Sequence, residues 1–155
     1  HGRSRNEARQ FFSSEAGFKF KMSNVQAAIG CAQLKRAGKM IEKRIQNHKI
    51  YKDLLSDTNI CINPEHVDRK NVHWMINCVF PYELDFVDLY KKFNSAGIDA
   101  RPFFWPLSEQ NPYRKLYRKE LINSRKLIEK SINVPNYFDM TVDDIERVVK
   151  TLRSI

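Results

Sequence analysis

The chain has 155 residues, 42% of them hydrophobic and 12% aromatic, with a formal net charge of +9 at pH 7. That content supports a packed core and excludes a disordered segment, and the length suits one ordinary domain or a large piece of a bigger protein. No apolar run approaches the ~20 residues a membrane-spanning helix needs, so no membrane partner is expected.

The opening decapeptide, HGRSRNEARQ, is polar, charged and aperiodic. It carries no signal-peptide pattern and, lacking an initial Met, is expected to be a loop cut from a longer protein. Next comes GFKFKMSN. Alternation in an extended stretch aims Lys19 and Lys21 to one side and the two phenylalanines to the other. A solvated strand edge would explain that. Two cations just before a helix N-terminus nevertheless cost electrostatic energy unless an anion or a partner surface faces them.

Ser23 followed by Gln26 fits a capping box, with Met22 as the staple residue. From Val25 to Tyr51 the apolar spacing predicts one long helix, weakened at Gly30 and Gly38. Its first turns, QAAIGCA, are small enough that something is expected to pack very close, either another helix or a cofactor or subunit interface. NICINP, ended by Pro64, and the apolar NVHWMINCVF over 71–80 predict two strands. Asp85 then caps an amphipathic helix that Gly97 closes. IDARPFF predicts a third strand, and Pro102 marks it as an edge or bulge. A Pro-bounded loop, WPLSEQNPY, precedes a helical pattern from Leu116 to Ile132. NVPNYFDM reads as an extended connector, and Thr141 with Asp144 opens a last helix running to the end. The expected class is α+β: a small, mostly antiparallel sheet covered by helices and preceded by a long helix.

The charge raises nucleic acid as a partner. Lys and Arg are, however, dispersed among apolar residues at helical spacing, as in KRAGKMIEKR and SRKLIEK, and no RNA- or DNA-binding signature occurs, which disfavours it. Cys31, Cys61 and Cys78 are widely spaced among apolar neighbours and read as buried thiols of a reducing compartment, which places the chain in the cytoplasm. Without a CxxC or matching His pair, no metal site is expected. His1, His48, His66 and His73 stand apart from acid or nucleophile partners and read as surface or packed residues, so no catalytic residue is assigned. GIDARPFFWPLSEQNPY is more specific. It sets Arg101, a residue suited to bidentate phosphate binding, beside aromatic faces suited to a nucleobase or sugar, although those aromatics could also be plain core.

Several of these stretches together resemble a known family. GFKFKMSNVQAAIGCAQLKR, HWMINCVF, GIDARPFFWPLSEQNPY and INVPNYFDMTVDDIERVVKTLRSI are similar, in order and spacing, to segments of the DegT/DnrJ/EryC1/StrS sugar aminotransferases. Lys19 and Ser108 lean toward the GDP-perosamine synthase-like branch. The resemblance implies the C-terminal part of the fold type I architecture of pyridoxal-phosphate enzymes. Residues 1–22 would be a loop and strand-like arm from the large domain, and residues 23–155 the C-terminal small domain with its long linking helix.

The family forms homodimers and moves an amino group, usually from glutamate, to a nucleotide-linked 4-keto or 3-keto sugar. The resemblance assigns Lys19 to the cofactor phosphate of a neighbouring subunit and Lys21 to the substrate. Arg101, Phe103, Phe104 and Ser108 would border the nucleotide-sugar pocket. Pyridoxal 5′-phosphate is implied for the complete enzyme rather than for this chain alone. The family's Schiff-base lysine stretch and the acid that pairs with the cofactor ring have no counterpart here, and both are chemical necessities. The chain is therefore expected to be inactive without its N-terminal half. A stand-alone nucleotide-sugar or phosphate-binding module and a basic nucleic-acid-binding domain are the alternatives.

Overall fold

The computed structural model describes residues 17, 22–116 and 121–155. Ser23 caps helix α1, Asn24–Leu34, through the expected box: its hydroxyl accepts from the Gln26 backbone, and Gln26 Oε1 accepts from the Ser23 N–H at 2.7 Å. The single long helix is in fact two. α1 ends at Lys35, and α2 covers Ala37–Leu54. The break falls where apolar periodicity lapses, so no core contact holds the helix through it. α1 buries none of its residues, whereas α2 buries Asn47, His48 and Tyr51. The close neighbour expected for the small-residue turns is not among the described residues: a Cβ added at Gly30 would meet nothing within 4 Å.

Four short strands form one antiparallel sheet in the order β1-β2-β4-β3: β1 Cys61–Ile62, β2 Ile76–Val79, β3 Arg101–Pro102 and β4 Ser131–Val134. The α+β class and the small antiparallel sheet agree with the sequence, but several boundaries do not. The strand expected over 71–80 pairs only at 76–79, because His73 takes a left-handed backbone (φ 47°) that interrupts extension. β3 pairs over two residues, with Pro102 on the edge strand.

The largest difference is β4. The helix expected to reach Ile132 stops earlier, as α4, Ile122–Glu129, and residues 131–134 form a central strand instead of a connector. All four residues of β4 are buried, so it shows none of the alternation by which half-exposed strands announce themselves.

α3, Phe86–Ser95, starts at Asp85, whose carboxylate accepts from the Val87 and Asp88 N–H groups, and is followed by Gly97 at φ 66°. α5, Val142–Arg153, opens on the Thr141–Asp144 capping box and buries Ile145, Val148, Val149 and Leu152 at helical spacing. These pack with Tyr51 and Leu55 from the α2 end, Leu89 and Phe93 of α3, and Ile76, Cys78, Ile132 and Val134 of the sheet. Of the three cysteines expected inside, only Cys78 is buried; Cys31 and Cys61 are exposed. Cys31 sits on the uncovered α1 and Cys61 on the outermost strand, so neither faces the core.

Candidate functional site

Pairing of β3 with β4 sets Arg101 opposite Asn133. The Asn133 amide donates to the Pro102 carbonyl at 2.9 Å and accepts from the Asn77 amide, and the Asn77 N–H donates to Asn63 Oδ1 at 2.9 Å. A row of side-chain amides thus crosses the sheet and ends beside Arg101. After β4 the chain turns through Asn136, which is buried. Its amide donates to the His73 carbonyl at 2.7 Å and the Arg44 carbonyl at 3.2 Å, and its oxygen accepts from Asn47 Nδ2 at 2.9 Å. Arg44 Nη1 donates to the Trp74 carbonyl at 2.6 Å.

These segments wall a cavity of about 460 Å³, whose lining includes Arg44, Trp74, Asp99, Arg101, Asn133, Asp144 and Arg147. Three arginines against two aspartates leave an excess of positive charge facing the space. Arg101 is held in a fork by Asp99, with Nη2 to Oδ2 at 2.7 Å and Nε to the same oxygen at 3.2 Å. That bond pushes its already high pKa further up, so the guanidinium is a fixed cation. An anionic ligand would share it with Asp99 or displace that carboxylate.

The other expected site residues fall differently. Phe104 stacks on Trp74 with ring centroids 6.0 Å apart, and Phe103 meets Phe104 edge-on at 6.0 Å. An aromatic wall therefore runs outward from the cavity, although Phe103 and Phe104 do not line it. Ser108 lies in a single 3-10 turn, Leu107–Glu109, also outside the lining. Lys19 and Lys21 lie outside the described residues. Trp74, Arg44 and the Asn133–Asn136 amides were not singled out from sequence. Trp74 does fall within the HWMINCVF segment, and that was the available signal.

A pyridoxal cofactor requires an amine nucleophile for its covalent anchor and a free acid for its ring nitrogen. The cavity lining contains no lysine, and its two acids, Asp99 and Asp144, are each paired with an arginine. The residues present in the cavity do not fit that cofactor.

A second cluster joins two of the four histidines, packed as expected, to an acid that sequence spacing did not place beside them. His48 of α2 and His73 before β2 are both buried and stack with ring centroids 3.6 Å apart and planes 15° apart. The exposed Glu65 carboxylate lies with them, all three potential ligand atoms falling within 4.8 Å of one another. Burial lowers the pKa of both imidazoles, and Glu65 acts in the opposite sense. His48 Nε2 and His73 Nδ1 are buried without a hydrogen-bond partner. Each such orphan costs about 1–3 kcal/mol.

The sequence matches the model of the DegT/DnrJ/EryC1/StrS aminotransferase family over residues 1–153. It is 28% identical over 151 residues to a GDP-perosamine synthase of Caulobacter vibrioides, covering 95% of this chain and 41% of that protein. It is 30% identical over 154 residues to a UDP-4-amino-4-deoxy-L-arabinose–oxoglutarate aminotransferase of Shewanella sediminis, covering 91% and 39%. The fold is similar to that of the sugar aminotransferase CalS13 from Micromonospora echinospora, with a TM-score of 0.75 at 20% identity over 89% of this chain and 37% of that one. The chain thus spans about two fifths of the length of these relatives.

Proposed function

Because the chain belongs to the DegT/DnrJ/EryC1/StrS aminotransferase family, we propose that it is the C-terminal part of a pyridoxal-phosphate-dependent enzyme that aminates a nucleotide-linked 4-keto or 3-keto sugar with glutamate as donor. Residues 1–22 are an arm from the large domain, and residues 23–155 are the small domain with its linking helices. The observation that carries the reading is Arg101: within a family chain, a fixed guanidinium at the lip of a 460 Å³ cavity sits beside the Trp74–Phe104 wall. Such a pairing of planar cation and aromatic face suits a sugar nucleotide, whose phosphates take the fork while a base or sugar ring lies on the aromatics.

In this reading Arg101 binds phosphate, Trp74, Phe104 and Phe103 orient the ring, and Ser108 offers a hydroxyl to the sugar. Lys21 assists at the substrate, and Lys19 reaches the cofactor phosphate of a second subunit in a homodimer. The anchoring lysine and the acid for the cofactor ring belong to the part of the enzyme that this chain does not span, so residues 1–155 alone bind without transaminating. In this reading the enzyme works in the cytoplasm, with its nucleotide-sugar substrate. Neither a free-standing binding module nor a nucleic-acid-binding domain is favoured by a family match that runs the length of the chain.

The test is to isolate the protein from its source and record intact mass and absorbance. A longer chain with a near-visible band, lost on borohydride treatment with a retained covalent adduct, supports the reading. A natural mass of 18.3 kDa without that band overturns it. In the longer protein, Arg101→Ala is expected to raise KM for the nucleotide sugar about tenfold or more, the loss of a charge-assisted pair. An unchanged KM would remove Arg101 from the site.

A further inference from the structure

We propose that His48, Glu65 and His73 form a binding site for a divalent transition-metal ion of the zinc class. Three independent features point there. First, one potential ligand atom from each residue lies within 4.8 Å of the other two, although the residues come from α2, the loop after β1 and the loop before β2. Second, His48 and His73 are 2% and 3% exposed, yet His48 Nε2 and His73 Nδ1 have no hydrogen-bond partner. A merely packed pair of imidazoles would be expected to satisfy those nitrogens with backbone or side-chain groups.

Third, the backbone that carries His73 is fixed in an unusual conformation. The His73 N–H donates to Asn71 Oδ1 at 2.8 Å, and its carbonyl accepts from Asn136 Nδ2 at 2.7 Å, pinning an uncommon left-handed backbone. Backbone strain that is over-determined by its surroundings occurs characteristically at functional positions.

Two imidazoles and one carboxylate suit zinc and its neighbours better than magnesium or calcium, which prefer all-oxygen shells. Three protein ligands leave a fourth position for water. Tetrahedral zinc with bonds of about 2.0–2.1 Å sets its ligand atoms about 3.3 Å apart, so the cluster must close by roughly 1.5 Å at most. Glu65 is exposed, so its carboxylate can move, and the rings must turn out of their near-parallel stack to aim both nitrogens at one point. Lys52 Nζ stands 2.5 Å from Glu65 Oε2, which leaves Oε1 for the metal. Glu65 is also the solvent-facing member of the set and so marks the entry side.

The full polypeptide is dialysed against zinc and its metal content measured, and crystals grown with zinc are examined by anomalous diffraction at the zinc edge. The expected results are one zinc per chain and an anomalous peak between His48 Nε2, His73 Nδ1 and the Glu65 carboxylate. Glu65→Gln, a surface change that spares the core, should weaken binding about tenfold or more. Failure to retain zinc, a peak elsewhere, or equal affinity in Glu65→Gln would overturn the proposal.

Discussion

Replacing Asn136 by alanine tests whether the turn after β4 is held by its amide or only by packing. The side chain makes three hydrogen bonds, to the His73 and Arg44 carbonyls and from the Asn47 amide, and the residue is 7% exposed. A buried hydrogen bond contributes about 1 kcal/mol net, and a buried group left unsatisfied costs about 1–3 kcal/mol. Asn47 keeps its bond to the Tyr137 carbonyl at 3.1 Å, so it loses only part of its share. The His73 carbonyl loses the partner that pins a left-handed residue. The total is about 2–3 kcal/mol. Urea unfolding of the purified polypeptide should show the midpoint falling with an unchanged slope. Because Asn136 joins α2 to two walls of the cavity, affinity for a nucleotide sugar should fall together with stability. A stability loss below about 1 kcal/mol would refute the reasoning, since packing alone would then hold the turn.

Burial lowers the pKa of His48 and His73 below the ordinary 6.5. Between the folded values and 6.5 the unfolded chain therefore holds more protons, so stability is full above about pH 6.5 and declines as the pH falls below it. A urea midpoint that stays flat across that window would contradict the burial of the pair. Thiol labelling at neutral pH should modify Cys31 and Cys61 rapidly and leave Cys78 intact until unfolding, because its thiol is pushed up to about 12 by burial; two equal slow thiols would count against the exposure of α1. Residues 1–155 expressed alone should self-associate through Met22, Val25, Ile29 and Leu34, all more than half exposed, and Ile29→Lys should reduce the light-scattering mass. A monomer at high concentration would refute this.

What the sequence made legible was local chemistry. The Ser23, Asp85 and Thr141 caps and the Gly97 stop could be read because each acts within three or four residues of its own helix end. β4 could not, since Ser131–Val134 follows α4 after a single residue and is buried throughout, which erases the period-two signal. The break at Lys35 depends on where the core ends, and that is set by packing rather than by the helix itself. Arg101 stood out by its Pro-aromatic neighbours, and it does line the cavity. Arg44, Trp74 and Asn136 join it only through the fold. The His48–His73 pair was invisible for the same reason, because contact between distant elements leaves no trace in spacing.

The order of the strands also dictates the order in which the protein can be made. β4 is the partner of both β2 and β3, and it leaves the ribosome after both of them. Until residue 134 emerges, β2 presents an open edge, β3 has no partner, and the apolar residues meant for the sheet have nowhere to settle. Nascent chains halted before that point should therefore be the species that chaperones hold and that aggregate, whereas α5, arriving next, finds a completed sheet and can close over it almost at once.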